Sequence, residues 1–541
     1  MTNKEIAGLF HELATLMELH DENSFKTRSY ENAYLALRKL DVPLLEMEKS
    51  DWSQFKGIGS AIQDKLEEIK TKATFTTLEE YRSKTPEGVR AMLRIKGLGP
   101  KKVKSIWKEL QLESVGELAY ACEENRLIEL KGFGKKIQED ILNNIAFLDS
   151  QAGFYLFPKL NAEAELLIQQ IKQLNADLII EKCGALRRAN PVLEKIEFLI
   201  NAESFHLPEQ FIKSDERNYL WKENIPVQIY TSSDSDFYFN LAKYTSGSDA
   251  FVTNVLSVLQ KISAASEEQV FSHVHLNYIP PECRDLEEFS TFNPLELVDM
   301  DAIKGVIHTH SLYSDGMYSI EQMAEECIRL GYQYLVISDH SRAAFYANGL
   351  SIERVEQQWR EIDQLNAQWQ DFTIFKSIES DILYDGSLDY PDDILEKFDL
   401  VIASVHSQLK MDLTKAMSRL IKAIENPYTR ILGHMTGRLL LSRPGYPVDH
   451  QKIIDACADN NVIIELNANP MRLDMDWKWI PYAMEKGVKI SINPDAHNLK
   501  GISDIKYGVL AARKAGLLKN YCLNYKSSTE FISWINEKSN F

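Results

Sequence analysis

The feature that most limits the folds open to this chain is a regular alternation that begins at Lys304. Seven short apolar runs, at 304–310, 332–340, 372–379, 398–406, 429–434, 461–467 and 488–497, are separated by amphipathic stretches such as 319–330, 351–369, 413–425 and 449–459. Short runs rich in Val, Ile and aromatic residues read as buried strands, and apolar spacing of three and four reads as helix. Repeated βα units of this kind predict a parallel barrel or sheet. Six of the chain's 12 histidines, His308, His310, His340, His406, His434 and His497, fall at the C-terminal ends of these runs. Glu379 and Asp495 hold equivalent ends, and Asp315 follows in the first loop. In a βα barrel those ends converge on one mouth, where active sites are built. One histidine there would be an ordinary packed or surface residue. Six histidines with three carboxylates at one rim read as a metal-ligand set, and that mixture suits Mn²⁺, Zn²⁺ or Fe²⁺. His308 and His310, two apart on a strand, face one ion.

Position by position, these nine residues resemble the PHP (polymerase and histidinol phosphatase) domain, over residues 300 to about 520. The resemblance implies a distorted (β/α)7 barrel with three divalent metal ions. In that arrangement His308, His310, Glu379 and Asp495 hold one ion, Glu379, His406 and His434 a second, and Asp315, His340 and His497 a third, with Glu379 bridging. It also implies phosphate-ester hydrolysis with His308, His310, Glu379 and Asp495 as catalytic ligands, because such ions make water nucleophilic near neutral pH and offset phosphoryl charge. Arg342, Arg438 and Arg472 lie near rim ends and read either as bidentate partners of a substrate phosphate or as ordinary salt bridges. Asn467 and Asn469, in "ELNANP", either bind substrate or cap their loop.

A second pattern recurs three times, at 55–69, 95–110 and 130–142: apolar, Lys, Gly, apolar, Gly, then an amphipathic helix. The glycine pairs are Gly57 and Gly59, Gly97 and Gly99, Gly132 and Gly134. Glycines two apart permit a turn with positive φ and leave backbone N–H groups free at the next helix start. Backed by Lys56, Lys96, Lys101, Lys102, Lys131, Lys135 and Lys136, such groups hold a phosphate without reading a base. The repeats resemble helix-hairpin-helix motifs, which implies non-specific DNA-backbone binding. The helical stretch that contains the first of them resembles the small lyase-type domain of family X DNA polymerases. In that family a lysine on the helix after the first hairpin is a Schiff-base nucleophile at abasic sugars. Lys65 occupies the matching place; a solvated helix lysine is the other reading.

Between these regions lies "CGALRRANPVLEKIEFLI", residues 183–200. Gly184, Ala185, Arg187 and Arg188 resemble the turn and arginines of a family X polymerase palm, with Ala where the family has Ser. Lys195 and Glu197 then stand where the family carries two metal-binding aspartates, and Gln228, in "VQIY", stands at the third carboxylate. Two-metal phosphoryl transfer needs carboxylates that bridge the ions. An ammonium and an amide at two of the three positions leave a poor cage for Mg²⁺, so polymerase activity is expected to be lost.

At 541 residues the chain exceeds a single core. The expected organisation is a lyase-type helical domain with the first hairpin at 1–85, hairpin fingers at 86–150, a degenerate palm at 151–238, a thumb and linker at 239–299 and the PHP domain at 300–541. The fold class is therefore multidomain: an all-α helix-hairpin-helix region, an α+β polymerase-like palm and thumb, and an α/β (β/α)7 barrel. Net charge is −18 overall, and residues 151–300, with 12 basic against 22 acidic side chains, are the most acidic part. An acidic surface repels DNA wherever basic clusters do not override it. Six scattered cysteines without a CxxC pair argue against a disulfide framework. No run suits a membrane span or a signal peptide, and a cytoplasmic location is expected. The expected partner is gapped, nicked or abasic DNA, and the expected activity is 3′–5′ exonuclease, abasic-site endonuclease or 3′-phosphate removal. The rivals are an active gap-filling polymerase, a small-molecule phosphatase of histidinol-phosphate type, and a DNA-binding scaffold with a structural metal site.

Overall fold

Apolar residues at three- and four-residue spacing build a helical unit first. In the computed structural model, which describes residues 1–40, 42–149, 153–222, 224–289 and 292–537, this unit comprises Met1–Cys122 with Leu127–Ile145. Its first helix, Asn3–Leu19, opens on a capping box between Thr2 and Glu5 and buries Ile6, Phe10, Leu13 and Met17. Each of the three glycine turns follows one design. The first glycine is left-handed, at φ +97° for Gly57, +91° for Gly97 and +88° for Gly132. The apolar residue between the glycines, Ile58, Leu98 or Phe133, is buried and anchors the turn. The second glycine then leads into a helix: Ser60–Lys72, Pro100–Glu109 or Lys135–Asp149. Gly59 and Gly99 have no side chain to cap their helices, so the first-turn N–H groups stay available. Lys56, Lys96, Lys101, Lys131, Lys135 and Lys136 are exposed around these turns. Lys102 is half-buried, with Nζ donating to the Gly97 carbonyl at 3.3 Å. Lys65 is also half-buried, its ammonium 5.4 Å from the centroid of the Tyr30 ring.

The second unit comprises Glu123–Arg126 with Ala146–Phe541. The region expected to be a palm holds a five-stranded sheet in the order Ile180–Lys182, Ile196–Ile200, Ile225–Thr231, Asn218–Trp221, Phe211–Lys213. Only the pair Ile196–Ile200 and Ile225–Thr231 is parallel. The helix Phe157–Leu174 covers the sheet with Leu160, Ala164, Leu167 and Ile171. The expected boundary at 150/151 lies outside the described residues. That at 238/239 falls inside the helix Phe237–Tyr244, whose Phe237 and Leu241 pack on Cys183 and Leu199 of the palm.

Seven parallel strands follow, paired in chain order: Gly305–Thr309, Tyr334–Ile337, Thr373–Asp381, Leu400–Ser404, Thr429–Leu432, Ile463–Asn467 and Ile490–Asn493. A parallel bridge from Thr309 to Ala496 links the first strand to the chain after the seventh and nearly closes a barrel. Alternation sorts the strand residues onto two faces. Ile307, Tyr334, Val336, Phe375, Ile402, Ile431 and Ile463 share one cluster, completed by Leu523 and by Phe531 of the helix Ser528–Asn536. The other face packs against the surrounding helices. All but the third strand stop at or short of the ends read from sequence. In the first run His308 adopts left-handed backbone, φ +65°, where the pairing register shifts between Val306 and Thr309, and after the seventh strand Asp495 does the same at φ +52°. All six cysteines are buried and none is in a disulfide.

Candidate metal centre

All nine ligand positions read from sequence meet at the C-terminal mouth of the barrel, and eight of them are buried, His406 slightly less so. Glu379 is central. Its Oε1 lies 3.3 Å from His308 Nε2, 3.1 Å from His406 Nε2 and 3.0 Å from His434 Nε2, and its Oε2 lies 2.9 Å from His340 Nδ1. Asp495 Oδ1 lies 3.0 Å from His310 Nε2 and 3.5 Å from His308 Nε2. Asp315 faces His497 Nε2 at 3.4 Å and His340 Nε2 at 3.5 Å. Three groupings present donors close enough for one ion each: His308, His310 and Asp495; His340, Glu379 and His406; and His310, Asp315, His340 and His497. In the segment Glu123–Arg126 of the same unit, buried Glu124 adds a carboxylate beside Asp495 and His497.

Burial opposes charge on the rings, yet the carboxylates overcome it at four of them. Asp315 and Glu379 hold His340 well above the ordinary histidine range, and Glu465, Asp495 and Glu379 do the same for His308. His406, beside Glu379 and Asp381, and His497, beside Asp315, are raised to about 9. His310 is held low by burial and by the neighbouring His497 and His340, and its ring stacks on His497 with centroids 4.1 Å apart. Against burial, the histidines hold Asp315, Glu379 and Asp495 well below the usual carboxylate range. Several polar atoms here, among them His308 Nε2, His310 Nδ1, both oxygens of Asp315, Glu379 Oε2 and His497 Nε2, are buried without a hydrogen-bond partner. Orphaned buried polar groups are costly. Imidazole nitrogens and carboxylate oxygens so arranged fit divalent ions, which would satisfy them together.

Other polar residues hold this set in place. Asp381 Oδ1 lies 3.2 Å from His406 Nδ1. Buried Asp339 accepts from Ser311 N at 2.7 Å, Ser311 Oγ at 2.6 Å and Gln358 Nε2 at 2.6 Å, and also from Ser314 Oγ, which fixes the loop that carries Asp315. Asn467 is buried, donates to Asp495 Oδ2 at 3.0 Å and accepts from Asn469 N at 3.1 Å. Asn469 accepts from Met471 N at 2.9 Å. Arg438 is tied to Asp476 at 2.6 Å, to the Arg472 carbonyl at 3.0 Å and to the Leu473 carbonyl, while Arg472 is buried. Arg342 is the exposed member of the three arginines, 56% accessible in its side chain and donating to the Asp389 carbonyl at 2.9 Å. Sequence reasoning passed over Asp339, Asp381 and Glu465. Each is an acidic residue inside or ending an otherwise apolar run, a signal that such a strand end does work beyond packing.

Profiles of known families match three parts of the chain: a helix-hairpin-helix domain at residues 1–75, a SAM-like helix-hairpin-helix tandem at 89–145 and a PHP domain at 307–469. The DNA polymerase/3′-5′ exonuclease PolX of Bacillus subtilis (strain 168) is 34% identical over 97% of this chain and 98% of that protein. The chain belongs to the family X DNA polymerases that carry a PHP domain. The barrel alone is also similar to probable phosphatases. One, from Thermoanaerobacter sp. (strain X514), is 28% identical over 40% of this chain and 88% of that protein. Another, from Caldanaerobacter subterraneus, is 30% identical over 35% of this chain and 74% of that protein. No helix among the described residues is long and apolar enough to cross a membrane.

The palm of this family X chain holds a different constellation. Glu197 and Gln228 are direct partners across the parallel strand pair. Lys195 Nζ donates to Gln228 Oε1 at 2.5 Å and lies 3.4 Å from Glu197 Oε1. Gly184 is left-handed, at φ +61°, and a Cβ there would lie 1.9 Å from Glu197 Oε2, so the Glu197 carboxylate occupies the space over the turn. Tyr230 donates to Gln228 Oε1 at 2.9 Å and stacks on Tyr244 with centroids 4.1 Å apart. The arginines are engaged as well. Arg187 pairs with buried Glu267 at 2.9 Å, and Arg188 with Asp285 at 3.1 Å.

Proposed function

We propose that the chain is a DNA-repair phosphoesterase. The helix-hairpin-helix turns hold the DNA backbone, and the PHP barrel removes nucleotides or terminal phosphates from 3′ ends, or cuts at abasic sites. The observation that carries this reading is the contrast between the two centres: nine ligand side chains with orphaned atoms at the barrel mouth, against a palm whose key positions are spent on one another. In the barrel, His308, His310, Glu379 and Asp495 would hold one ion, Glu379, His406 and His434 a second, and Asp315, His340 and His497 a third, as Mn²⁺ or Zn²⁺. Such ions supply the Lewis acidity for phosphodiester hydrolysis. The chain's own residues do the rest. Asp381 and Asp339 keep ligands and loop in register, Arg342 stands exposed to meet a substrate phosphate, and buried walls keep bulk water from competing.

In the palm, an ammonium at Lys195 repels the cations that a polymerase needs, and the Glu197 carboxylate repels a triphosphate over Gly184. This favours loss of nucleotide incorporation. The relative's printed name includes a DNA polymerase, which keeps gap filling as the second reading. Lys65 as a lyase nucleophile is a lesser proposal, resting on its place in the helix Ser60–Lys72 after the first glycine turn. The test is incubation with Mn²⁺ and 5′-labelled duplexes that carry a gap, a 3′-phosphate or an abasic site, beside His308→Ala and Asp495→Ala. Shortening or dephosphorylation by the wild type and loss in both variants is the expected result; nucleolysis that survives in both overturns the assignment to the barrel.

A further inference from the structure

Beneath the metal ligands lies a carboxylate that belongs to no ligand set. Glu465 sits in the sixth barrel strand and is fully buried. A buried charge persists only where hydrogen bonds and partners compensate its lost hydration. Here both oxygens are engaged by neighbours that carry ligands. Oε1 lies 2.6 Å from His308 Nδ1 and accepts from Asn493 Nδ2 at 2.8 Å, while Oε2 accepts from the backbone N–H of His434 at 2.7 Å. Asn493 is itself fixed, its Oδ1 accepting from Ser491 Oγ at 2.6 Å.

Two consequences follow from this geometry. Glu465 holds His308 by Nδ1, which turns Nε2 towards Glu379 and Asp495, 3.3 Å and 3.5 Å away, as the nitrogen that would give up its proton to an ion. His308 also has left-handed backbone, φ +65°, which a non-glycine residue keeps only where its surroundings over-determine it. The other oxygen reaches a different strand end and sets the position from which the His434 side chain meets Glu379. Asp381 offers the comparison, since it contacts His406 alone among the ligands by hydrogen bond.

We propose that Glu465 is a positioning residue that fixes ligands of two different metal positions at once, through the His308 ring and the His434 backbone. Removing it disturbs two ions, whereas removing Asp381 disturbs one. This rests on the metal-centre reading above. Outer-shell partners of ligating histidines change metal affinity by about 10- to 100-fold when removed.

The full-length metal-free protein, Glu465→Gln and Asp381→Asn are titrated with Mn²⁺ by calorimetry, with free Mn²⁺ counted by electron paramagnetic resonance and folding followed by circular dichroism. The expected result is wild-type secondary structure in both variants, two classes of site weakened about 10- to 100-fold in Glu465→Gln and one class in Asp381→Asn. Wild-type affinity and stoichiometry in Glu465→Gln overturn the inference, as does weakening of a single class. A wild-type protein that binds no Mn²⁺ defeats the underlying metal-centre reading instead. Should Glu465→Gln not fold, Asn493→Ala removes the donor that orients the carboxylate. It should weaken the same two classes, and unchanged Mn²⁺ binding there refutes the role of Glu465.

Discussion

Metal binding at this centre should displace protons, in a number that the structure sets. In the metal-free protein His406 and His497 titrate near 9 and His308 and His340 lie well above the ordinary value of 6.5. Because these folded-state values are raised, their imidazolium–carboxylate pairs stabilise the metal-free fold fully below about 6.5, and those of His406 and His497 lose that contribution as pH rises through about 9. Divalent ions bind the deprotonated rings, so metal affinity runs the other way and rises across the same window. At about pH 7.5, stripping a proton from a ring that titrates near 9 costs about 2 kcal/mol. These two rings predict release of about two protons at saturation, and the raised His308 and His340 add to that number. Calorimetric Mn²⁺ titrations in buffers of different ionisation enthalpy give the number directly, and His497→Ala should lower it by about one. Release near zero, or an affinity that is flat between about pH 6.5 and 9, would refute the electrostatics.

Other outcomes follow from single contacts. Glu379→Gln removes charge from a carboxylate that faces at least four histidines, and Mn²⁺-dependent nuclease activity should fall by more than about 100-fold with the fold retained by circular dichroism. Gly184→Ala should destabilise the protein by about 2–3 kcal/mol in urea denaturation, because the new methyl meets Glu197 at a left-handed position. Glu197→Ala should rescue part of that loss, and full additivity of the two changes would show that the carboxylate does not fill the space over the turn. Glu267, pressed down to about 2 as Arg284 and Arg187 outweigh its burial, should contribute about 3 kcal/mol above its ordinary 4.5 and lose it as pH falls towards 2. Glu267→Gln should abolish that acid dependence while lowering stability at neutral pH. Gly97→Ala and Gly132→Ala, at φ +91° and +88°, should weaken binding to a labelled duplex and flatten its salt dependence, read by fluorescence anisotropy.

The sequence made the cluster at the barrel rim legible because its signal is positional: histidines and carboxylates recur at the same phase of a βα repeat, and a parallel barrel brings equal phases to one rim. The glycine turns were legible for a similar reason. A lysine, two glycines and an apolar residue between them describe a turn with one side chain buried beneath it, and Ile58, Leu98 and Phe133 do lie there. What stayed hidden depends on partners far away in the chain. Glu465 reads as an odd charge in an apolar strand until the fold places it under His308, 157 residues earlier. Arg438 reads either as a phosphate partner or as an ordinary salt bridge from sequence, and its guanidinium is tied to Asp476 and to backbone carbonyls. The palm positions Lys195, Glu197 and Gln228 could be read as replaced from the sequence. The fold adds that Glu197 fills the space over Gly184 and that Tyr230 stacks on Tyr244.

One gel decides between the two centres. The full-length protein is given a 5′-labelled primer on a gapped template, with Mn²⁺ and all four deoxynucleoside triphosphates, beside Asp495→Asn. The labelled strand should shorten with the wild type, stay at its starting length with Asp495→Asn, and lengthen with neither. Extension of the primer by both proteins would contradict the assignment, because it would place the working chemistry in the palm.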